Sequence, residues 1–187
     1  MKLIGIICIL GVLVLSGCDA SNTSSASGTS GTGTTGTPTS GSSPTTISSL
    51  DPQVSAFLTL INAYRVQNSA PALQVSIALT NSAQWMSTDM ANNNYLDHTD
   101  SLGRDPYTRM IAFGYDYNTD EGENVAAGNS DASDTFTQWK DSAAHNANML
   151  DASYLVIGIG RAYSATSTYG WYWTTDFGGY VDAVMSP

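Results

Sequence analysis

Apolar side chains recur every three or four residues in two stretches of the chain, and this spacing predicts two helices. The first is predicted over residues 50–68 and the second over residues 76–92. Asp51 is a suitable N-cap for the first helix, because Pro52 follows it in the first turn. The apolar positions of this helix are Val54, Phe57, Leu58, Ile61 and Tyr64.

Two shorter helices are indicated by their boundaries. Asp105 and Pro106 start a third helix, which Gly114 would end as a C-cap. A fourth helix is predicted from residue 131 or 133 to residue 142. His98 lies in the Asn-rich loop between the second and third helices, and His145 lies just beyond the fourth helix.

The second half of the chain also contains β-type patterns. The stretch ENVAA, residues 123–127, is short enough for a buried strand. Residues 155–163 and 169–181 are rich in aromatic and β-branched side chains and are separated by a turn-like SATST segment. These two stretches predict an antiparallel hairpin.

One face of the second hairpin strand is predicted to carry Trp171, Trp173, Thr175 and Phe177. We interpret this aromatic row as core packing against a layer of helices rather than as a ligand platform. Helices followed by a strand, a helix and a terminal hairpin predict an α+β domain, in which helices cover an antiparallel sheet.

The N-terminal residues have the pattern of an export signal. An apolar run of about 13 residues follows Lys2, which is shorter than the roughly 20 residues that a spanning helix needs. The run ends in LSGC, residues 15–18, which resembles a bacterial lipobox. We therefore predict a lipoprotein signal peptide over residues 1–17 and lipidation of Cys18, with the protein anchored to the outer face of the cytoplasmic membrane or in the periplasm.

Residues 18–49 contain almost only Ser, Thr and Gly after the first few positions, which predicts a disordered tether ahead of a folded domain over residues 50–187. The chain's two cysteines, Cys8 and Cys18, both precede that domain, so its fold cannot depend on a disulfide. Removal of residues 1–17 takes away Lys2 and no acidic residue, which changes the formal charge from −10 to −11. This charge argues against nucleic acid as a partner.

Four motifs in this order resemble the CAP family, which contains cysteine-rich secretory proteins, insect venom antigen 5 and plant pathogenesis-related proteins, and the resemblance is closest to its bacterial branch. It spans residues 50–179. It implies a three-layer α-β-α sandwich with a mainly antiparallel central sheet. The motifs are YLDHTDSLGRDPYTRMIAFGY, EGENVAAG, QWKDSAAHNANML, and YLVIGIG followed by YGWYWTTDFG.

The resemblance also implies a cleft that gathers His98, Glu123 and His145 from three separate motifs. Asn124, Asp141 and Ser142 would be neighbours of this cleft, with Asn124 satisfying backbone groups. Animal members have a second cleft glutamate where this chain has Ser142, so that carboxylate is missing. The bacterial branch commonly has Gly before and Arg after the second histidine, where this chain has Ala144 and Asn146.

Three interpretations of the cleft are compatible with its residues. Two imidazoles and a carboxylate can hold a divalent cation such as zinc, although no compact metal-binding motif is present. A paired Glu and His can act as acid and base, and such a pair can also simply tie a loop to a sheet.

We favour a non-enzymatic binding module for a divalent cation, a small apolar ligand or a cell-envelope component. The alternative is a metal-assisted hydrolase or peptidase that uses His98, Glu123 and His145. Thiol catalysis is excluded because the folded domain has no cysteine, and no glycine-rich phosphate loop is present.

Overall fold

The computed structural model describes residues 50–186. The predicted signal peptide, the lipidation of Cys18 and the tether lie outside the described residues. Five helices occur in the described part, and they are α1 Pro52–Gln67, α2 Ile77–Asn93, α3 Pro106–Ala112, α4 Ala132–Lys140 and α5 Ala143–Leu150. Four strands complete it, namely β1 Gln74–Val75, β2 Glu121–Ala127, β3 Val156–Tyr163 and β4 Trp171–Gly178.

Side-chain caps start α1 and α3 at the predicted residues. Asp51 Oδ1 accepts a hydrogen bond from the backbone N–H of Gln53 at 2.8 Å, ahead of Pro52. Asp105 caps α3 in the same way, and its Oδ1 accepts from the backbone N–H of Thr108 at 2.7 Å. Each cap satisfies a donor that a helix N-terminus leaves unpaired.

The strands form one sheet in the order β1-β3-β4-β2. Strands β3 and β4 form the predicted antiparallel hairpin, and β2 pairs antiparallel with β4. The two-residue β1 pairs parallel with β3 and was not predicted. Strand β2, which carries Glu123, is therefore an edge of the sheet.

Helices cover both faces of this sheet, which confirms the predicted α+β sandwich. Helix α2 packs on β3 and β4 on one face. On the other face, Phe57 of α1 contacts Trp139 of α4 and Trp173 of β4, at ring-centroid distances of 5.3 and 6.0 Å. Trp173 and Phe177 are fully buried there, so these two members of the aromatic row are core residues as predicted.

The region around the second histidine differs from the sequence prediction. His145 lies just beyond α4, as expected, but it belongs to a further helix, α5, that the sequence pattern did not indicate. Among residues 50–186, no helix combines the length and apolar character that crossing a bilayer requires.

Two glycines of β3 let α2 approach the sheet very closely. A Cβ atom at Gly158 would lie 2.0 Å from the backbone carbonyl carbon of Leu79, and one at Gly160 would lie 2.2 Å from the backbone oxygen of Ala83. Because both obstacles are helix backbone, neither can move aside as a flexible side chain would. The position of α2, and of the loop that follows it, depends on these two glycines.

Replacing Gly158 with Ala should push α2 away from the sheet. We expect the free energy of unfolding to fall by about 3 kcal/mol, because the added methyl group meets backbone atoms. Gly103→Ala is the control: nothing lies within 4 Å of its added Cβ, and only its φ of +78° adds strain, at a cost of about 1 kcal/mol. Urea unfolding of both variants measures the difference, and equal losses would contradict the close-packing argument.

Candidate functional site

The predicted cleft residues meet along the edge strand β2. Directly opposed residues of antiparallel strands point to the same face, so Glu123 faces the α2 layer together with its partner Asp176. The next residue, Asn124, faces the other layer, where α5 lies. Side chains from both helix layers can therefore reach this edge.

The loop that carries His98 is held by two buried aspartates. Asp89 of α2 accepts hydrogen bonds from the hydroxyl of Tyr95 and from the backbone and hydroxyl of Ser101. Asp100 accepts from the backbone and Nε of Arg104, the latter at 2.7 Å. These bonds fix the chain on both sides of His98.

Glu123 is the centre of the site. Its side chain is only 1 % exposed, and its Oε1 accepts a hydrogen bond from His98 Nδ1 at 2.7 Å. Its Oε2 is bonded to Nη2 of Arg109, whose side chain is fully buried. Both oxygens of the Glu123 carboxylate are thus engaged by side chains of this chain.

Arg109 is a site residue that the sequence analysis missed. It lies on α3, and besides Glu123 it bonds the backbone oxygen of His98 at 3.2 Å. A buried carboxylate needs a counter-charge, and Arg109 supplies it without a metal ion. The sequence feature that could have indicated Arg109 is its position in the DHTDSLGRDPYTR motif, where it is one of two arginines.

The hydrogen bond to Glu123 raises the pKa of His98, and the nearby charge of Glu123 adds to this effect. The His98 side chain remains 38 % exposed. With Nδ1 bonded to Glu123, Nε2 is the nitrogen that this ring offers to a ligand.

His145 is held from the opposite layer. Its Nδ1 shares a hydrogen bond of 2.9 Å with Ser142 Oγ, and its backbone oxygen accepts from Asn124 Nδ2 at 3.1 Å. Burial lowers the pKa of His145, and the charge of His98 lowers it further. The two imidazoles therefore interact electrostatically, and among residues 50–186 no hydrogen bond joins the His145 ring to Glu123.

Neighbouring residues have distinct places. Asn148 donates to the backbone oxygen of Glu123 and to Asn124 Oδ1, so Asn124 ties β2 to α5, as its predicted backbone role implies. Asp141, a predicted cleft neighbour, is the exposed C-cap residue of α4. Ser142 is the N-cap residue of α5 and orients His145.

The segment after α5 is fixed by a buried arginine, Arg65 of α1. Its guanidinium donates four hydrogen bonds, at 2.8–2.9 Å, and the acceptors are the backbone oxygens of Pro71, Met149, Asp151 and Tyr154. No carboxylate is needed here because four carbonyl dipoles stabilise the charge. The C-terminal end of α5 is anchored to α1 in this way.

The expected metal set of His98, Glu123 and His145 stays a prediction, and the structure shows how its members are hydrogen bonded. Glu123 uses both carboxylate oxygens within the protein, one of them on a guanidinium, so it acts as a partner of His98 rather than as a ligand. The other two predicted ligands are imidazoles whose Nδ1 atoms are hydrogen bonded. Metal-binding histidines are oriented by hydrogen bonds of this kind. Within residues 50–186, no three His, Cys, Asp or Glu side chains are grouped to hold a metal ion.

A groove of about 460 Å³ lies elsewhere on the domain. It is lined mainly by apolar side chains of α1, β1 and the C-terminal segment, including Leu58, Leu73, Val75 and Met185. None of the cleft residues lines it. Binding of a small apolar ligand stays a prediction, and this groove is separate from the histidines.

Glu123→Gln tests the centre of the site. The substitution removes the charge that compensates Arg109, so we expect the free energy of unfolding to fall by about 3 kcal/mol. It also removes the main cause of the raised pKa of His98, which should fall toward its ordinary value. NMR titration measures this directly, because the chain has only two histidines.

The pH dependence has a definite sign. A raised pKa of His98 stabilises the folded state at low pH, and this stabilisation is lost as pH rises above about 6.5 through the folded-state value. Glu123→Gln should show less of this loss than the wild type. Glu121→Gln is the control for the His98 titration, because it lies on the same strand and neither of its carboxylate oxygens is hydrogen bonded among the described residues. It is no control for the stability profile, since burial raises the pKa of Glu121 itself to about 7. If both variants changed His98 equally, Glu123 would not be its specific partner.

Solved structures resemble this chain in fold. An extracellular protein containing an SCP domain from Bacillus anthracis matches with a TM-score of 0.59 at 24 % identity, over 68 % of this chain and 43 % of that chain. An outer surface protein from Borrelia burgdorferi matches with a TM-score of 0.61 at 19 % identity, over 69 % and 95 %. A cysteine-rich secretory protein from Staphylococcus aureus matches with a TM-score of 0.53 at 15 % identity, over 68 % and 38 %.

At these identities the likeness shows the fold alone, and this chain spans less than half the length of the Bacillus and Staphylococcus proteins. No curated protein matches the chain significantly. The sequence profile of the cysteine-rich secretory protein family, CAP, matches residues 58–177. This match covers well over half of the chain and includes the three predicted cleft residues, so the protein belongs to the CAP family.

Proposed function

We propose that the chain is an extracytoplasmic, lipid-anchored binding module that takes up a divalent cation between the imidazoles of His98 and His145. The observation that carries the proposal is how the two imidazole rings are hydrogen bonded. Nδ1 of each is bonded to a side chain, to Glu123 or to Ser142, and Nε2 of each makes no hydrogen bond within residues 50–186. Both rings are partly exposed.

Neutral imidazole nitrogens are good ligands for zinc and similar cations, and a carboxylate behind the ring fixes the tautomer. Glu123 has this place behind His98. In the same way, the Ser142 hydroxyl can accept a hydrogen bond from Nδ1 of His145 and fix the tautomer of that ring. A cation bound there would act as a bridge to a small ligand or an envelope component, with open positions for its donor atoms.

The cleft favours binding over catalysis. A general base must take a proton from water, but both oxygens of Glu123 are bonded and its side chain is buried. Ser142 contacts a histidine, yet no carboxylate of the described residues is hydrogen bonded to that ring. A hydrolase mechanism would need Glu123 to leave Arg109.

The location at the cell envelope is supported by the sequence and by the similar structures. The predicted signal and lipobox lead to export and to an anchor at Cys18. The Bacillus anthracis protein is described as extracellular and the Borrelia burgdorferi protein as an outer surface protein.

Zinc titration of the full-length chain, followed by calorimetry, tests the proposal. We expect one site per chain, with affinity at least about tenfold lower in His98→Ala and in His145→Ala. Asp141→Asn is the matched control, because this carboxylate is exposed and makes no bond to the cleft residues; its affinity should equal that of the wild type.

Two results would overturn the proposal. One is an absence of zinc binding, or binding that survives loss of both histidines. The other is turnover of peptide or ester substrates that is lost in Glu123→Ala, which would make the protein a hydrolase.

A further inference from the structure

We infer that Asp176 is protonated in the folded protein and donates its hydrogen to the Glu123 carboxylate, which makes it a positioning residue for His98. The inference deepens the proposed function, because it concerns the residues behind the binding imidazole. It does not require that a cation binds.

The two carboxyl groups are placed together by strand register. Asp176 lies in β4, opposite Glu123 in β2 and Gly158 in β3. The three residues face the α2 layer, and Asp176 is fully buried there. The Asp176 side chain lies within hydrogen-bond reach of Glu123 and beside Ser82 of α2. Gly158 has no side chain, so α2 closes directly over the pair.

The side-chain hydrogen-bond donors near the two carboxyl groups bond Glu123. His98 and Arg109 both bond the Glu123 carboxylate. Among the described residues, no N–H or O–H group makes a hydrogen bond of standard geometry to either oxygen of Asp176, and the nearby Ser82 hydroxyl is likewise unpaired. The Ser82 hydroxyl is the one O–H group of the described part close enough to favour the ionised form of Asp176. An ionised carboxylate with a single weak donor is unfavourable in a protein interior, whereas a protonated one can itself donate.

The charged groups that face Asp176 do not favour its ionisation. Burial raises the pKa of Asp176 well above its ordinary value, and the charge of Glu123 raises it further. Arg109 of α3 opposes this effect but is bonded to Glu123. Two adjacent carboxyl groups with one neighbouring arginine hold one proton more readily than none.

The competing arrangement is an ionised Asp176 paired with Arg109, whose Nε makes no hydrogen bond within the described residues. In that case His98 and Arg109 would together balance two carboxylates. In the arrangement that we infer, a single carboxylate, Glu123, receives hydrogen bonds from His98, Arg109 and Asp176. Its orientation, and through it that of the His98 ring, is then fixed from three sides.

Asp176→Asn distinguishes the two arrangements by the sign of its pH dependence. Asn is neutral, has nearly the same shape and keeps a donor toward Glu123. If Asp176 is protonated when folded, the wild type must bind a proton on folding at neutral pH, and this penalty grows as pH rises above the unfolded-state pKa. The folding equilibrium constant of Asp176→Asn, relative to wild type, should then increase at least about tenfold from pH 4.5 to pH 7.

The opposite trend, a relative loss of stability in Asp176→Asn as pH rises, would show an ionised Asp176 and overturn the inference. A second readout needs no variant: the ¹³C shift of the Asp176 carboxyl in the full-length wild type should stay at the protonated value from pH 5 to pH 7. An ionised shift would overturn the inference as well.

The pKa of His98 is a further readout, and a purely structural role of Asp176 would not change it in this way. Its pKa should be almost unchanged in Asp176→Asn, because no charge is removed, and should fall in Glu123→Gln, which is the positive control. A drop of similar size in both variants would overturn the inference. None of these measurements involves zinc, so failure of cation binding and failure of this inference are separately observed.

Discussion

A single buried carboxylate constrains the site and the elements around it. Glu123 lies on a strand that is covered by a layer of helix, so its charge must be balanced inside the protein. Arg109 balances it from α3, and His98 is bonded to it from the loop after α2. That one group therefore fixes the relative positions of a strand, a loop and a helix. Asp89 of α2 and Asp100 of the loop make this arrangement more rigid.

The position of β2 at the edge of the sheet explains how two helix layers contribute to one cleft. A central strand has neighbours on both sides, so residues on its opposite faces are kept apart by the sheet. At an edge, the His98 loop and α5 can approach each other around the strand. The alternation of Glu123 and Asn124 serves both layers, since the first bonds His98 and the second bonds the backbone of His145.

The sequence predicts the long amphipathic helices, the capped start of α3 and the hairpin, because each has a periodic pattern or a cap that acts locally. Helix α5 and β1 could not be predicted in this way. Helix α5 is only eight residues long, contains two Asn residues and has no side-chain cap, and the two residues of β1 pair only after β3 exists. The meeting of His98 with Glu123 followed from family resemblance, whereas Arg109 and Asp176 were missed because burial of a charge depends on tertiary register that no local pattern contains.

Arg161 has a structural consequence for the domain. Its guanidinium bonds the Asp51 carboxylate and the backbone oxygen of Ser130, and it stacks 3.6 Å above the ring of Trp171. Asp51 also caps the first helix, right after the point where the chain enters the domain. Arg161 therefore joins the N-terminus of α1, the residues before α4 and the hairpin, so loss of this one side chain would remove a contact from all three.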